Sequence, residues 1–153
     1  MGVRVVVGSD VAGYGYKELI KADLEKDPRI DVVTDVGVTE GDDVDYPHVA
    51  VLGARMVAAG EADRAVLVCG TGLGMAIAAN KVPGVRAGTA HDAFSVERLV
   101  LSNDAQVLCL GQRVIGAELA RRLAREFFDY TFDATSHSAA KVAEIGAYES
   151  RAR

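Results

Sequence analysis

Short runs of apolar, β-branched residues alternate along this chain with longer stretches in which apolar residues return every three or four positions. The first run is Val3-Arg4-Val5-Val6-Val7, broken by Gly8-Ser9-Asp10 and followed by a helical stretch over about Tyr16–Glu25. Asp27-Pro28 marks the end of that helix, and Ile30-Asp31-Val32-Val33 reads as the next strand. Pro47 opens a second helix that runs through Ala58 and closes at Gly60. Ala65-Val66-Leu67-Val68 is almost wholly apolar and of strand length. A helix from about Leu73 to Asn80, a strand over Val85–Ala90, a helix from about Ala93 to Leu101 and a strand over Ala105–Leu110 follow. Two last helices are predicted from about Gly116 to Phe128 and from about Ser136 to Tyr148, leaving the final residues as a tail.

Strand-length runs that are apolar on both faces and separated by helices predict a parallel sheet covered on both sides. The expectation is a single α/β domain over 1–153, a three-layer αβα sandwich with a five-stranded parallel sheet, Rossmann- or flavodoxin-like. Strand order is not legible from the pattern. The architecture nevertheless locates a site, because ligands of open parallel sheets bind outside the carboxyl ends of the strands. Those ends carry Gly8-Ser9-Asp10, Cys69-Gly70-Thr71-Gly72, His91-Asp92 and Gly111-Gln112-Arg113, whereas the opposite ends carry nothing comparable.

Composition narrows the classes. With 153 residues the chain is about one domain long and needs no staples to hold a core. A net charge of −5 argues against nucleic acid, which demands a basic face. No apolar run approaches the ~20 residues of a membrane span. The run Met1–Asp10 turns polar at Ser9-Asp10 and is not expected to be a signal peptide. Cys69 and Cys109 stand in unlike settings, with no Cys-x-x-Cys and no sign of a disulfide framework. A soluble, cytoplasmic protein is expected.

The chemistry concentrates in Cys69-Gly70-Thr71-Gly72-Leu73-Gly74, which runs from a buried strand into a helix. Glycines allow close backbone approach, and successive N–H groups there form an anion site. The thiol at its head lies where a helix dipole favours negative charge. A dinucleotide fingerprint needs its third glycine where the chain has Met75, and the same residue excludes a Cys-x5-Arg phosphatase loop. No Gly-Lys-Ser/Thr follows, so a Walker loop fails too. An anion hole holding a thiol and a hydroxyl remains, with inert packing as the other reading of Cys69. Cys109, inside a strand, reads as packing.

Gly8-x-Asp10, Asp45-Tyr46-Pro47-His48, Cys69-Gly70-Thr71-Gly72-x-Gly74, Ile77-Ala78-Ala79-Asn80-Lys81, Asn103 and Gly111-x-Arg113-Val114 together resemble the type B ribose-5-phosphate isomerases, a family that includes the galactose-6-phosphate isomerase subunits. The resemblance covers nearly the whole chain in order, with Cys69–Lys81 its most specific segment. It implies interconversion of phosphorylated aldoses and ketoses without metal, nucleotide or other cofactor, by a homodimer or tetramer with sites between subunits. Cys69 then resembles the base that moves a proton between C1 and C2; some relatives use a Glu at the place of Met75. Thr71 resembles the hydroxyl that helps proton traffic between the substrate oxygens. The N–H groups of Gly70, Thr71, Gly72, Leu73 and Gly74 would hold the enediolate oxygen. Asp10, Tyr46 and Asn103 match sugar-contacting positions, and Arg113 matches a phosphate-binding arginine. The last helix, about 136–148, would pack on the partner subunit. The residues suit this chemistry independently, since deprotonating a carbon beside a carbonyl needs a positioned base and preorganised donors for the oxyanion.

Three departures matter. The family's His before the Asn-Asp pair is here Ser102, the usual Asp-His near the start is Asp10-Val11, and the C-terminal pair of phosphate-binding arginines falls at His137 and Lys141. That missing His is the expected ring opener, and serine does not titrate near neutrality. Ribose 5-phosphate keeps O4 free and closes to a furanose, whereas a tetrose 4-phosphate has O4 esterified and stays open. The stretch His91-Asp92-Ala93-Phe94-Ser95 … Ser102-Asn103 also resembles relatives that interconvert D-erythrulose 4-phosphate and D-erythrose 4-phosphate, which makes the four-carbon substrate the leading expectation. Ribose 5-phosphate isomerisation, with His91 as ring opener, is the alternative. His137 and Lys141 share a helix face and either join Arg113 on the phosphate or are simply solvated. His48 reads as structural, and Arg121, Arg122 and Arg125 as a solvated or interfacial turn. A response regulator would need an Asp and a Lys where the third and fifth strands end in Cys69 and Gly111, and a redox protein a second cysteine near Cys69. A silent sugar-phosphate binder is harder to set aside, although retention of Cys69, Thr71 and the glycine loop argues against it.

Overall fold

Along the first strand, β1 (Val3–Ser9), consecutive valines face opposite ways: Val6 joins one hydrophobic cluster, Val5 and Val7 the other. Burial on both faces is why the run is apolar throughout instead of alternating. The computed structural model describes residues Met1–Ala152. Its further strands are β2 (Ile30–Asp35), β3 (Arg64–Cys69), β4 (Ala87–Thr89) and β5 (Val107–Gly111), all parallel, in the order β2-β1-β3-β5-β4. After a 3-10 turn (Val11–Gly13) come α1 (Tyr14–Leu24), α2 (Tyr46–Ala58), α3 (Leu73–Ala79), α4 (Ala93–Leu101), α5 (Ala117–Glu126) and α6 (Ser138–Arg151).

Helices α2 and α3 cover one face, where Val49, Ala50, Ala54, Met75 and Ala79 pack with Val6, Leu67 and Cys109. On the other face α1, α4 and α5 bring Ile20, Leu24, Val96, Val100 and Leu123 against Val5, Val7, Val66 and Leu108. The three-layer αβα sandwich is therefore as expected. Successive crossovers step outward from β1 to β2 but the other way from β3, so the carboxyl ends of β1 and β3 flank the crevice where such sheets bind ligands.

Three elements differ from the pattern. β2 is an edge strand with Val32 half exposed, not a doubly covered one. β4 keeps only three of its six predicted residues, because Val85 is drawn into a turn with Val82 and Arg86 gives its N–H to the Gln106 side chain. The last helix continues to Arg151 in place of a tail, yet buries none of its residues. Among the described residues no helix is long and apolar enough to cross a membrane.

Candidate active site

Cys69 is the last residue of β3, 4% exposed, on the rung beside Gly111 of β5. β1 ends one strand away, with Ser9 paired to Val68 and Asp10 just beyond. Asp10 Oδ1 accepts the N–H of Gly13 at 3.0 Å and caps the 3-10 turn, which leaves Oδ2 without a protein partner among the described residues. The thiol and a half-exposed carboxylate thus flank the crevice at its floor.

The glycine loop folds back over the thiol. Gly72 has a left-handed backbone (φ 78°), and a Cβ there would meet the Leu110 carbonyl carbon at 2.9 Å, so only glycine fits. This turn points the Gly72 N–H at Cys69 Sγ, 3.1 Å away, a donor for negative charge on sulfur. Thr89, at the end of β4, locks the turn by donating its hydroxyl to the Gly72 carbonyl at 2.8 Å. The Leu73 N–H goes to Thr71 Oγ1 at 3.2 Å. Two of the five donors expected to hold an oxyanion are therefore engaged by side chains of the loop itself. The N–H groups of Gly70, Thr71 and Gly74 have no partner among the described residues and remain to bind one.

Two side chains wall this loop. Tyr46, the first residue of α2, lies with its ring against Gly74, where a Cβ would come within 2.5 Å of two ring carbons. Arg113 crosses Gly70, where a Cβ would lie 3.3 Å from its Nη1, and its N–H donates to the Gly70 carbonyl at 2.9 Å. Gln112 donates its N–H to the Cys69 carbonyl at 2.9 Å and accepts the Tyr16 N–H on its side chain. Met75 is fully buried beneath the loop. Asp10, Tyr46, Cys69, Gly70, Thr71, Gly72, Leu73, Gly74 and Arg113 are thus brought to one end of the sheet.

His91 is hydrogen-bonded to the end of β5. Its Nε2 accepts the Gly111 N–H at 2.9 Å, and burial holds the imidazole below its ordinary pKa, which favours the neutral, accepting form. The nitrogen is committed to the β5 turn that carries Arg113. Cys109 is wholly buried, and burial pushes its thiol far above the usual range, as packing requires.

Ser102, Asn103, His137 and Lys141 do not join the cluster within the protomer. Ser102 closes α4 and Asn103 follows it, at the amino end of the sheet, where the Asn103 carbonyl accepts from Arg86 just ahead of β4. The chain leaves that same end at Tyr130, whose carbonyl accepts from Arg64 at the start of β3. It returns there at Glu149, which accepts the Gly84 N–H. His137 and Lys141 are exposed on the intervening segment. For Ser102 and Asn103 the reason is topological: residues between a helix and the next strand lie at the opposite end from those between a strand and the next helix. Pattern reasoning missed Thr89, and it placed Gln112 at a strand end without giving it a role.

A model of the Ribose/Galactose Isomerase family matches residues 5–145. The chain belongs to that family. It is 60% identical over 150 residues to "D-erythrulose-4-phosphate isomerase 2" of Mycolicibacterium smegmatis, covering 97% of this chain and 99% of the other. It is 36% identical to "Ribose-5-phosphate isomerase B" of Escherichia coli, with 97% of each covered. Among solved structures, the ribose-5-phosphate isomerase B of Clostridium thermocellum superimposes with a TM-score of 0.92 at 37% identity, over 98% of this chain and 99% of that one. The type B enzyme of Leishmania infantum gives 0.94 at 33%, over the full length of both. In this member of the ribose/galactose isomerase family, a thiol, free loop N–H groups and an arginine stand together at one sheet end.

Proposed function

We propose that this protein interconverts D-erythrulose 4-phosphate and D-erythrose 4-phosphate through a cis-enediolate. The observation that carries the chemistry is the Cys69 thiol held under the glycine loop, with the Gly72 N–H on sulfur and three further N–H groups free beside it. The four-carbon substrate is supported by the 60% identity to a D-erythrulose-4-phosphate isomerase and by Ser102 in place of a ring-opening histidine. In the ketose-to-aldose direction the Cys69 thiolate takes a proton from C1, and electrons move onto the C2 oxygen to form the enediolate. The same sulfur returns the proton to C2, while the Thr71 hydroxyl relays the proton from O1 to O2. The N–H groups of Gly70, Thr71 and Gly74 stabilise the oxyanion, which is the point of highest charge on the path. Asp10 and Tyr46 hold sugar hydroxyls, and Arg113 holds the phosphate.

The working unit is a homodimer or a tetramer with sites between subunits. Asn103 contacts the sugar from the partner subunit, because in its own protomer it lies at the far end of the sheet, and His137 and Lys141 contact the phosphate from the partner's last helix. Support comes from α3, whose Leu73 and Ile77 side chains stand 58% and 64% exposed beside the thiol, and from α6, which buries nothing in its own protomer. Ribose 5-phosphate isomerisation is the second reading, favoured by the type B relatives. It loses ground because Ser102 stands where a ring-opening histidine is expected and the Nε2 of His91 is engaged by the Gly111 N–H.

The deciding experiment compares turnover of D-erythrulose 4-phosphate and D-ribose 5-phosphate, each repeated with Cys69→Ala. Preference for the tetrose and loss of nearly all turnover in Cys69→Ala, with phosphosugar binding retained, is expected. Efficient pentose turnover would overturn the substrate, and an active Cys69→Ala would overturn the base.

A further inference from the structure

Asp104 is the one non-glycine residue with a left-handed backbone among the described residues (φ 48°). It follows Ser102 and Asn103 in the turn between α4 and β5, where its N–H closes the helix on the Val100 carbonyl at 3.0 Å and the Ala105 N–H donates to the Leu99 carbonyl at 3.1 Å, and one side chain binds the turn in addition. Arg86 Nε donates to the carbonyls of Asn103 at 3.1 Å and Asp104 at 2.8 Å, while Nη2 donates to the Asp104 carboxylate at 3.1 Å. Gln106 braces Arg86 from behind. Its Oε1 accepts the Arg86 N–H at 2.8 Å, and its Nε2 donates at 3.0 Å to the Gly84 carbonyl. Strained backbone persists only where its surroundings over-determine it, and it collects where a chain must present a group in one orientation. Here the over-determination is complete, yet the side chain it presents, Asn103, is exposed and makes no hydrogen bond within its own protomer among the described residues. An arrangement this constrained around an idle side chain points to a task outside the protomer.

We propose that Arg86 is a positioning residue of the isomerase: it fixes the Ser102-Asn103-Asp104 turn so that the Asn103 amide meets a sugar hydroxyl in the partner subunit's site. This rests on the proposed function above, in which Asn103 acts across the interface. The planar fork of an arginine serves two carbonyls and a carboxylate at once, which a lysine ammonium on a flexible stem does not. Arg86 itself touches no substrate and lies at the opposite end of the sheet from its own Cys69.

The test uses Arg86→Ala, Arg86→Lys and Asn103→Ala, each alone and co-expressed with Cys69→Ala. Arg86→Ala should raise KM for D-erythrulose 4-phosphate about tenfold or more, since a misplacement of about an ångström is enough. Circular dichroism and native mass should match the wild type. Co-expressed in equal amounts with Cys69→Ala, it should recover about a quarter of wild-type activity, because half the dimers are hybrids and one site in each hybrid has both halves intact. A purely structural role would lower kcat in proportion to folded protein and leave KM unchanged, which would overturn the proposal. Should Arg86→Ala not fold, Arg86→Lys keeps a cation beside Asp104, and a wild-type KM in that variant overturns the proposal equally. Asn103→Ala separates the two readings. If it complements Cys69→Ala while Arg86→Ala does not, Arg86 alone is wrong; if Asn103→Ala itself fails to complement, the interface reading falls.

Discussion

Gly74 offers the sharpest test of the site's geometry. It lies in the first turn of α3 without a left-handed backbone, so alanine suits the helix and by propensity is better there by up to about 1 kcal/mol. The obstacle is Tyr46. A Cβ on residue 74 would stand 2.5 Å from ring carbons Cε2 and Cζ and 2.9 Å from the hydroxyl oxygen. Carbon atoms pack best at roughly 3.5–4.0 Å, so the ring has to retreat by about 1 to 1.5 Å. Tyr46 is 40% exposed and can swing toward solvent without pushing the helix away. Stability should accordingly move by no more than about 1 kcal/mol, or about 2–4 °C in Tm. Activity should suffer far more, because the hydroxyl is carried off the sugar by a distance that costs up to about a hundredfold.

Gly74→Ala is therefore expected to lower kcat/KM for D-erythrulose 4-phosphate about ten- to a hundredfold with a nearly wild-type melting curve. Steady-state kinetics and a thermal melt on the same preparation check both halves. Adding Gly74→Ala to Tyr46→Ala should cost little more, since the partner of the clash has gone. Wild-type kinetics in Gly74→Ala would refute the placement of Tyr46 over the substrate. A double variant as poor as the product of the two single losses would refute the clash as the cause.

Lys17 is 1% exposed and donates to both oxygens of Asp35 and to the Val38 carbonyl, so Lys17→Met should cost about 1–3 kcal/mol in urea unfolding, because the Val38 carbonyl loses its Lys17 donor while Lys21 and the Gly37 N–H still hold Asp35; an unchanged midpoint would sink this reading. Arginine hydrogen bonds hold Asp23, Asp27 and Asp63 below the usual carboxylate range, and at Asp35 burial pushes upward but is outweighed by bonds from Lys17, the Gly37 N–H and Lys21. Their stabilisation is present above the unfolded value near 3.9 and is lost as pH falls through the lower folded values, so urea midpoints should drop steeply below about pH 4, and a midpoint that rises on acidification contradicts the pairing. His91→Ala strands the Gly111 N–H and should cost about 1–2 kcal/mol, whereas His91→Gln keeps an acceptor and most of the stability; because burial lowers the His91 pKa, the wild-type bond weakens as pH falls below about 6.5, and a wild type and His91→Ala with identical pH dependence would exclude this role. Ser102→His should raise turnover of D-ribose 5-phosphate relative to the tetrose by about tenfold or more, and an unchanged ratio means that Ser102 does not set the substrate.

Local signals marked some elements well. The bounds of α4 coincide with expectation because Asp92 announces its start by accepting both the Ser95 N–H and the Ser95 hydroxyl at 2.7 Å. The two-sided burial of Val5, Val6 and Val7 was likewise written in their composition. Strand order was not, since β5 inserts between β3 and β4 through crossovers that no local pattern encodes. The shortening of β4 was equally hidden, because the Arg86 N–H finds its acceptor in a side chain twenty residues away.

The candidate site divides along one line. Asp10, Tyr46, Cys69, His91 and Arg113 each follow a strand or end one, and all lie at its carboxyl end, as the parallel topology demands. Ser102 and Asn103 come after α4 and before β5, so the same topology sends them to the amino end, where the segment leading to α6 also departs at Tyr130 beside Arg64. The alternation of elements was enough to foresee this separation, but matching residues one at a time to a family pattern discards which end of the strand each one occupies. Under the proposed function, a site drawn from both ends of one parallel sheet requires a second subunit, because a single protomer keeps the two ends apart. What sequence alone could not supply is how the far end is held in shape. Arg86 is an unremarkable residue before a strand until its fork is seen closing on the carbonyls of Asn103 and Asp104.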